Sequence, residues 1–229
     1  MKTIGFVPAR CGSKSIPLKN IKKICGKPLI YWNLKSLQEA KNVNEIYVAT
    51  DCEEIRRVVV EFQFPKIKIY KRDKENARDE SSTESVMLEF INKHSFNDED
   101  LFILVQATTP FTRPEDFEKA IELYYNEGFD SILSCSRIKK FFWTEDGKPI
   151  NYDYKNRPRR QDFAGILVEN GAFWINTIKN IKTYKNRLSG KIGIYEMPEY
   201  AAIDIDEEDD WIIAENLLRK YILNEDREV

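Results

Sequence analysis

The sequence predicts an α/β fold with a mainly parallel, open sheet and helices on both faces. Three observations lead there. Short apolar runs of strand length recur along the chain, the plainest being Leu101-Phe102-Ile103-Leu104-Val105. Segments with apolar residues three and four apart alternate with them. Polar turns carrying Ser, Thr, Asp or Pro separate the two kinds. Such strand–helix alternation is what a parallel sheet with crossover helices requires.

Residues 3–9 form a short apolar run, consistent with a buried parallel strand. Residues 10–20 are polar and basic and read as the loop after it. Gly26-Lys27-Pro28 opens a helix, with Pro28 suited to its first turn and Ile30, Asn33, Leu34 and Leu37 on one face. Residues 45–50 read as a second strand. Asp51 can cap the next helix, with Glu54 reaching back as in a capping box. A short third strand covers 67–70, and Ser81-Ser82-Thr83-Glu84 offers another capping box. Val86, Met87, Phe90 and Ile91 then mark the buried face of a helix. Beyond the 101–105 strand, Thr112-Arg113-Pro114-Glu115 starts a helix carrying Phe117, Ala120, Ile121 and Tyr124. Residues 130–135 read as a strand.

The alternation breaks over 136–168, a stretch rich in Lys, Arg, aromatics and Asp. An irregular segment of that length in a compact domain suggests a lid, an excursion or a dimerisation arm. Strands resume at 170–176 and 192–196, and 200–206 reads as a short strand running into acid. Trp211, Ala214, Leu218, Tyr221 and Ile222 make a closing amphipathic helix. No repeat, low-complexity tract or linker divides the chain, so one domain is expected over 1–229.

Composition narrows the functional classes. Hydrophobic residues make up 42% and charged residues 32%, a globular profile. A net charge of -2 gives no positive field for nucleic acid or an anionic membrane. No apolar run approaches the roughly 20 residues of a membrane helix, and Arg10 and Lys14 come too early for a signal peptide. Cys11, Cys25, Cys52 and Cys135 form no C-x-x-C pair, and the only histidine, His94, is far from all of them in sequence. A zinc site and histidine chemistry are therefore not expected, and a reducing cytoplasm is the expected compartment. His94 itself reads as a solvated helix-end residue.

Four stretches carry chemistry. Pro8-Ala9-Arg10-Cys11-Gly12-Ser13-Lys14, followed by Pro17-Leu18-Lys19-Asn20, sits after the first strand, where open α/β sheets bind ligands. Gly12 and Ser13 let backbone N–H groups approach an anion, and Arg10, Lys14 and Lys19 supply positive charge. The loop matches neither G-x-x-x-x-G-K-[ST] nor G-x-G-x-x-G; its plain alternative is a solvated basic loop. In Ile203-Asp204-Ile205-Asp206 the carboxylates lie two apart, so an extended chain turns both to one face, where they can converge on Mg²⁺. The alternative is an acidic N-terminus for the last helix; both roles are expected, with Asp204 and Asp206 as ligands and 207–210 mostly as caps and solvated face. Gln106-Ala107-Thr108-Thr109-Pro110 ends the central strand and faces the same cleft, unless it is only turn chemistry. Arg157-Pro158-Arg159-Arg160-Gln161-Asp162 suits a carboxylate or phosphate, a targeting cluster or a solvated run.

Taken in order with Ala49-Thr50-Asp51, Lys71-Arg72, Asp79-Glu80-Ser81-Ser82-Thr83 and Glu169-Asn170-Gly171-Ala172-Phe173, these stretches resemble the acylneuraminate cytidylyltransferases, the CMP-sialic acid synthetases. The resemblance covers almost the whole chain, and its Glu169-Asn170-Gly171 form is similar to the animal-type branch. It implies a nucleotidyltransferase, Rossmann-like fold and transfer of CMP from CTP to a nine-carbon 2-keto sugar acid, N-acetylneuraminate or a relative. It implies that Arg10, Gly12, Ser13, Lys19 and Asn20 hold the CTP phosphates and base, completed by Arg72 and Ser81, Ser82 and Thr83. Gln106 and Arg160, with Gln161 and Asn170, would position the sugar acid; Asp204 and Asp206 would hold Mg²⁺. The family also implies a homodimer formed through the 136–168 excursion, with Arg160 serving a neighbouring subunit's site. Trp174 stands where relatives often have Tyr near the sugar's acyl group, and being larger it leaves the sugar open. No residue of Lys139-Lys140-Phe141-Phe142-Trp143 can be matched to the basic residue some bacterial members carry there. The rival readings are the same transfer to 3-deoxy-octulosonate, legionaminate, pseudaminate or deaminated neuraminate, and a catalytically silent nucleotide-binding protein.

Overall fold

The computed structural model describes residues 1–12, 15–77 and 81–225. In chain order the elements are β1 (Thr3–Pro8), the two-residue strands β2 (Lys23–Ile24) and β3 (Lys27–Pro28), α1 (Leu29–Glu39), β4 (Glu45–Thr50) and α2 (Glu53–Glu61). Next come β5 (Ile67–Lys71), α3 (Thr83–Asn92), β6 (Leu101–Val105), α4 (Pro114–Asn126) and β7 (Ser131–Ile138). The chain ends with β8 (Ile166–Thr177), α5 (Ile178–Tyr184), β9 (Ile192–Met197) and α6 (Glu208–Leu217).

Seven strands make one sheet in the order β5-β4-β1-β6-β8-β7-β9. The first four are mutually parallel, and β8 alone runs against both its neighbours. The mainly parallel sheet expected from the sequence is therefore the one observed. The central strand shows why helices cover both faces. Leu101, Ile103 and Val105 pack with residues of α1, α2, α4 and α6, whereas Phe102 and Leu104 pack with α3 and α5. Alternate residues point to opposite faces, so a continuous apolar run demands cover on each.

Several local expectations are corrected. Asp51 is exposed and does not cap α2; Cys52 occupies the N-cap, and its N–H donates to Thr50 Oγ1 at 3.1 Å. The chain needs Asp51 and Cys52 to turn out of β4, so the helix begins too late for Asp51. Ser82, not Ser81, caps α3 by accepting from the Ser85 N–H at 3.1 Å, which frees the Glu84 side chain. Residues 200–206 are not a strand: a 3₁₀ turn at Glu199–Ala202 is followed by extended chain outside the sheet, held to the loop after β6 by Ile205 N–H to Thr108 O at 3.0 Å. The irregular region is shorter than 136–168, because β7 and β8 extend their pairing through Ile138↔Ile166 and leave 139–165 between them. His94 is not simply solvated; it stacks on Phe96, with ring centroids 5.3 Å apart. No helix among the described residues is long and apolar enough to cross a membrane.

Candidate functional site

A cleft of about 660 Å³ opens at the C-terminal ends of the parallel strands. Pro8, Arg10 and Gly12 line it from the end of β1, and Lys19 and Asn20 from the same connection. Arg72 enters after β5, Ser81, Ser82 and Thr83 at the start of α3, Gln106 to Thr108 after β6, and Asp204 and Asp206 from the extended segment before α6. Eleven of the expected site residues thus share one cavity. Ser13, with Lys14, Asp79 and Glu80, lies outside the described residues.

The basic loop is held by its own polar side chains. Buried Asn20 donates its amide N–H to Arg10 O at 3.2 Å, closing the loop across ten residues. The Lys19 ammonium donates to Ile205 O at 2.6 Å and to the Asp206 carboxylate at 3.1 Å. Ser15 Oγ donates to Asp206 O, and Lys22 pairs with Glu208 at 2.8 Å. The loop and the acidic segment, almost two hundred residues apart in sequence, are thereby fastened into one wall. Asp210 accepts from the N–H groups of Asp206 at 3.0 Å and Glu207 at 2.8 Å, the capping role expected of the later acids.

Arg72 is the most informative cation. It is only 7% exposed, its Nη2 donates to Asn76 O, and its buried Nε has no partner among the described residues. Burial pushes its guanidinium pKa down; Asp51 and Glu89 oppose that, and Arg10 adds to it. A buried, under-neutralised cation facing a cleft beside a second arginine suits an anion of high charge. Asn76 is in turn positioned by Glu89, to which its amide donates at 2.5 Å. The N-terminal turn of α3 adds backbone N–H groups to the same wall.

Across the cleft, Gln106, Gly171 and Asp204 meet. Gly171 has φ +70 inside a bulge of β8, and a Cβ there would stand 2.7 Å from Gln106 Oε1 and 3.6 Å from Asp204 Oδ2. The missing side chain is what leaves room for both polar groups. Asp204 reaches solvent at the cleft yet is closely surrounded by protein; desolvation raises its carboxyl pKa, and neighbouring Asp206 adds to the rise while Lys19 opposes it. Asp204 and Asp206, both exposed at the cleft, form a hard-oxygen donor pair fit for Mg²⁺, and Ile205, fully buried between them, anchors the segment that carries both.

Four expected sugar-site residues do not line the cleft. Asn170 is buried and spent on the bulge: its Oδ1 accepts from Ser134 Oγ at 2.8 Å and its amide donates to Ser136 Oγ at 3.3 Å. Trp174 is buried beneath the wall, with Nε1 donating to Glu169 at 2.9 Å. Arg160 and Gln161 are exposed on the 139–165 excursion, where Arg160 meets Glu199 at 3.5 Å. Sequence reasoning missed three contributors. Asn33, fully buried on α1, donates to Gln106 O at 2.7 Å and Thr109 O at 3.2 Å and so fixes the loop after β6. An Asn on an otherwise apolar helix face was the available signal. Glu84 and Arg187 also line the cleft, and nothing local to Arg187 marked it.

Cys11 and Cys52, read from the sequence as making no C-x-x-C pair and as suiting a reducing compartment, form a disulfide with Cα atoms 5.0 Å apart. They are distant in sequence, but β1 and β4 are neighbours and deliver both residues to the same end of the sheet.

The family model described as cytidylyltransferase matches residues 4–224. N-acylneuraminate cytidylyltransferase A of Danio rerio is 38% identical over 94% of this chain and 50% of its own. CMP-N,N'-diacetyllegionaminic acid synthase of Legionella pneumophila is 29% identical over 95% of this chain and 97% of its own. The chain spans about half the length of the fish relative. Among solved structures, a CMP:2-keto-3-deoxy-manno-octonic acid synthetase complexed with CTP superposes with a TM-score of 0.70 at 19% identity, over 96% of this chain and 99% of its own. That likeness concerns the fold.

Proposed function

Because the chain belongs to the cytidylyltransferase family, we propose that it transfers CMP from CTP to the anomeric hydroxyl of a nine-carbon 2-keto sugar acid, neuraminate or a relative, releasing pyrophosphate. The observation that carries this reading is buried Arg72, its Nε unpartnered among the described residues, sharing one cleft with Arg10 and Lys19 and facing Asp204 and Asp206.

In this reading Arg10, Arg72 and the first turn of α3 receive the triphosphate, whose charge would neutralise the buried guanidinium. Gln106, set by Asn33, orients the acceptor beside Gly171, where no side chain intrudes. The acceptor hydroxyl attacks the α-phosphorus in line and gives up its proton to solvent; the bond to the pyrophosphate oxygen breaks, and Arg10 and Lys19 meet the charge that grows there. Mg²⁺ held by Asp204 and Asp206 would supply charge neutralisation at the phosphate oxygens. Asn170 and Trp174 act from beneath, through the bulge and the wall. The 139–165 excursion, with exposed Trp143, Ile150 and Tyr154, is the proposed dimer contact, through which Arg160 and Gln161 would reach the neighbouring subunit's acceptor site.

The test is pyrophosphate release from CTP and Mg²⁺ with neuraminate, deaminated neuraminate, legionaminate, pseudaminate and 3-deoxy-octulosonate offered singly. Strong release with one nine-carbon acid supports the reading and names the acceptor. Folded protein that binds CTP but releases pyrophosphate with none of them overturns it.

A further inference from the structure

Arg187 lies in the loop after α5 and is drawn into the cleft from the face covered by α3 and α5. Three contacts hold it. Its Nε donates to Glu84 Oε1 at 2.6 Å, its guanidinium carbon stands 4.7 Å from the centre of the Trp174 ring, and its backbone carbonyl accepts from the buried Asn176 amide at 3.1 Å. The Glu84–Arg187 pair is mostly sheltered, with side chains 25% and 20% exposed. Glu84 occupies only Nε, and neither Nη group has a protein partner among the described residues. The planar head is thus fixed on an aromatic ring with its remaining donors available to the cleft.

Its support differs from that of the phosphate-binding cations, although its brace Glu84 sits in the first turn of α3. Arg10, Lys19 and Arg72 come from connections after β1 and β5, in the parallel half of the sheet. Arg187 rests on Trp174 of β8, which packs with the α3–α5 core. Asp204 and Asp206 flank Ile205, which packs in the opposite core with α1, α4 and α6. Arg187 and the two aspartates thus enter one cleft from supports on opposite faces of the sheet. An acceptor whose reacting hydroxyl lies toward Asp204 shares that cleft with Arg187.

We infer that Arg187, braced by Glu84 and Trp174, is a specificity-determining contact that binds an oxygen-bearing substituent of the acceptor acid remote from its reacting hydroxyl. This rests on the transferase reading above. A fork of N–H donors selects carboxylate, carbonyl or paired hydroxyl oxygens, and an acceptor lacking them leaves the two Nη groups without partners, a basis for rejection.

The experiment compares wild type, Arg187→Met and Arg187→Lys with the active acid and with an analogue lacking the oxygen substituents of its exocyclic tail. Arg187→Met is expected to raise KM for the acid by about 10- to 100-fold, as loss of hydrogen bonds to a charged group implies, with KM for CTP unchanged. It should also abolish the wild type's preference for the full acid over the analogue. Arg187→Lys keeps the charge without the fork and should shift both quantities the same way by less, which covers a poorly folding Met variant. Preference unchanged in either folded variant, or a rise confined to the KM for CTP, overturns the inference. Wild type inactive with every acid but still binding CTP would instead overturn the transferase reading, and this subsite with it.

Discussion

Gly171→Ala separates the chemistry of the cleft from the stability of the fold. The backbone there has φ +70, so alanine incurs a left-handed penalty of about 1–2 kcal/mol. The new Cβ would stand 2.7 Å from Gln106 Oε1, well inside van der Waals contact. That oxygen ends a flexible side chain, so it can swing aside cheaply; the cost falls on its position rather than on the core. Gly128→Ala is the matched control, because Gly128 has φ +60 and nothing within 4 Å of an added Cβ. Both variants should melt lower by similar amounts, about 2–4 °C for each kcal/mol in a chain of this size. Only Gly171→Ala should lose acceptor turnover, on the order of 100-fold in kcat/KM, the scale of an ångström misplacement of a positioning group. Thermal melts and pyrophosphate-release kinetics measure the two effects. If Gly171→Ala keeps kcat/KM within twofold of Gly128→Ala, Gln106 does not position the acceptor.

Four further outcomes are expected. Arg72→Met should weaken CTP binding by about 10- to 100-fold in calorimetry; unchanged affinity would remove Arg72 from the phosphate site. Asp204→Asn should cut turnover by about 100-fold or more, on the scale of a lost electrostatic contact, with the melting curve retained, whereas wild-type turnover would sink the metal assignment. Reductant should lower the melting temperature, since the Cys11–Cys52 bridge spans a sequence separation of 41 and the chain-entropy estimate for such a loop is about 4 kcal/mol; coincident melts with and without reductant would mean the bridge does not stabilise the protein. Glu45 is held at about 2, below its ordinary 4.5, by hydrogen bonds from Lys2, Tyr47 and Lys68. Its contribution is therefore present above pH 4.5 and lost as pH falls toward 2. Both lysines are more than half exposed, so the effect is about 1 kcal/mol; denaturant titrations of wild type and Glu45→Gln that keep a constant gap from pH 6 to about 2.5, a window set by the carboxylate range, would contradict it.

Periodicity and local chemistry carried much of this protein into view before any tertiary information. The 101–105 run announced a two-faced central strand because alternate residues must all be buried. Pro114 opened α4 as expected, because its fixed φ and missing N–H suit a first turn. The cleft residues after β1, β5 and β6 were legible because open parallel sheets gather their loops at one end, whatever the loop conformation.

What escaped the sequence were contacts between distant segments, where partners rather than composition decide the role. Cys11 and Cys52 look like isolated thiols until adjacent strands bring them together. Asn170 looks like a ligand-binding amide until the β8 bulge turns it inward against Ser134 and Ser136. Residues 200–206 have a strand's alternation, yet they bind the loop after β6 instead of a sheet edge. Arg187 is one basic residue among many until Glu84 and Trp174 hold it in the cleft. Sequence by itself determined the layers, the end of the sheet where the cleft opens and the cations and acids delivered there, because these follow from period and strand order. Only the tertiary structure decided which side chains face the cleft and which support it, because orientation is set by long-range partners that local pattern does not encode.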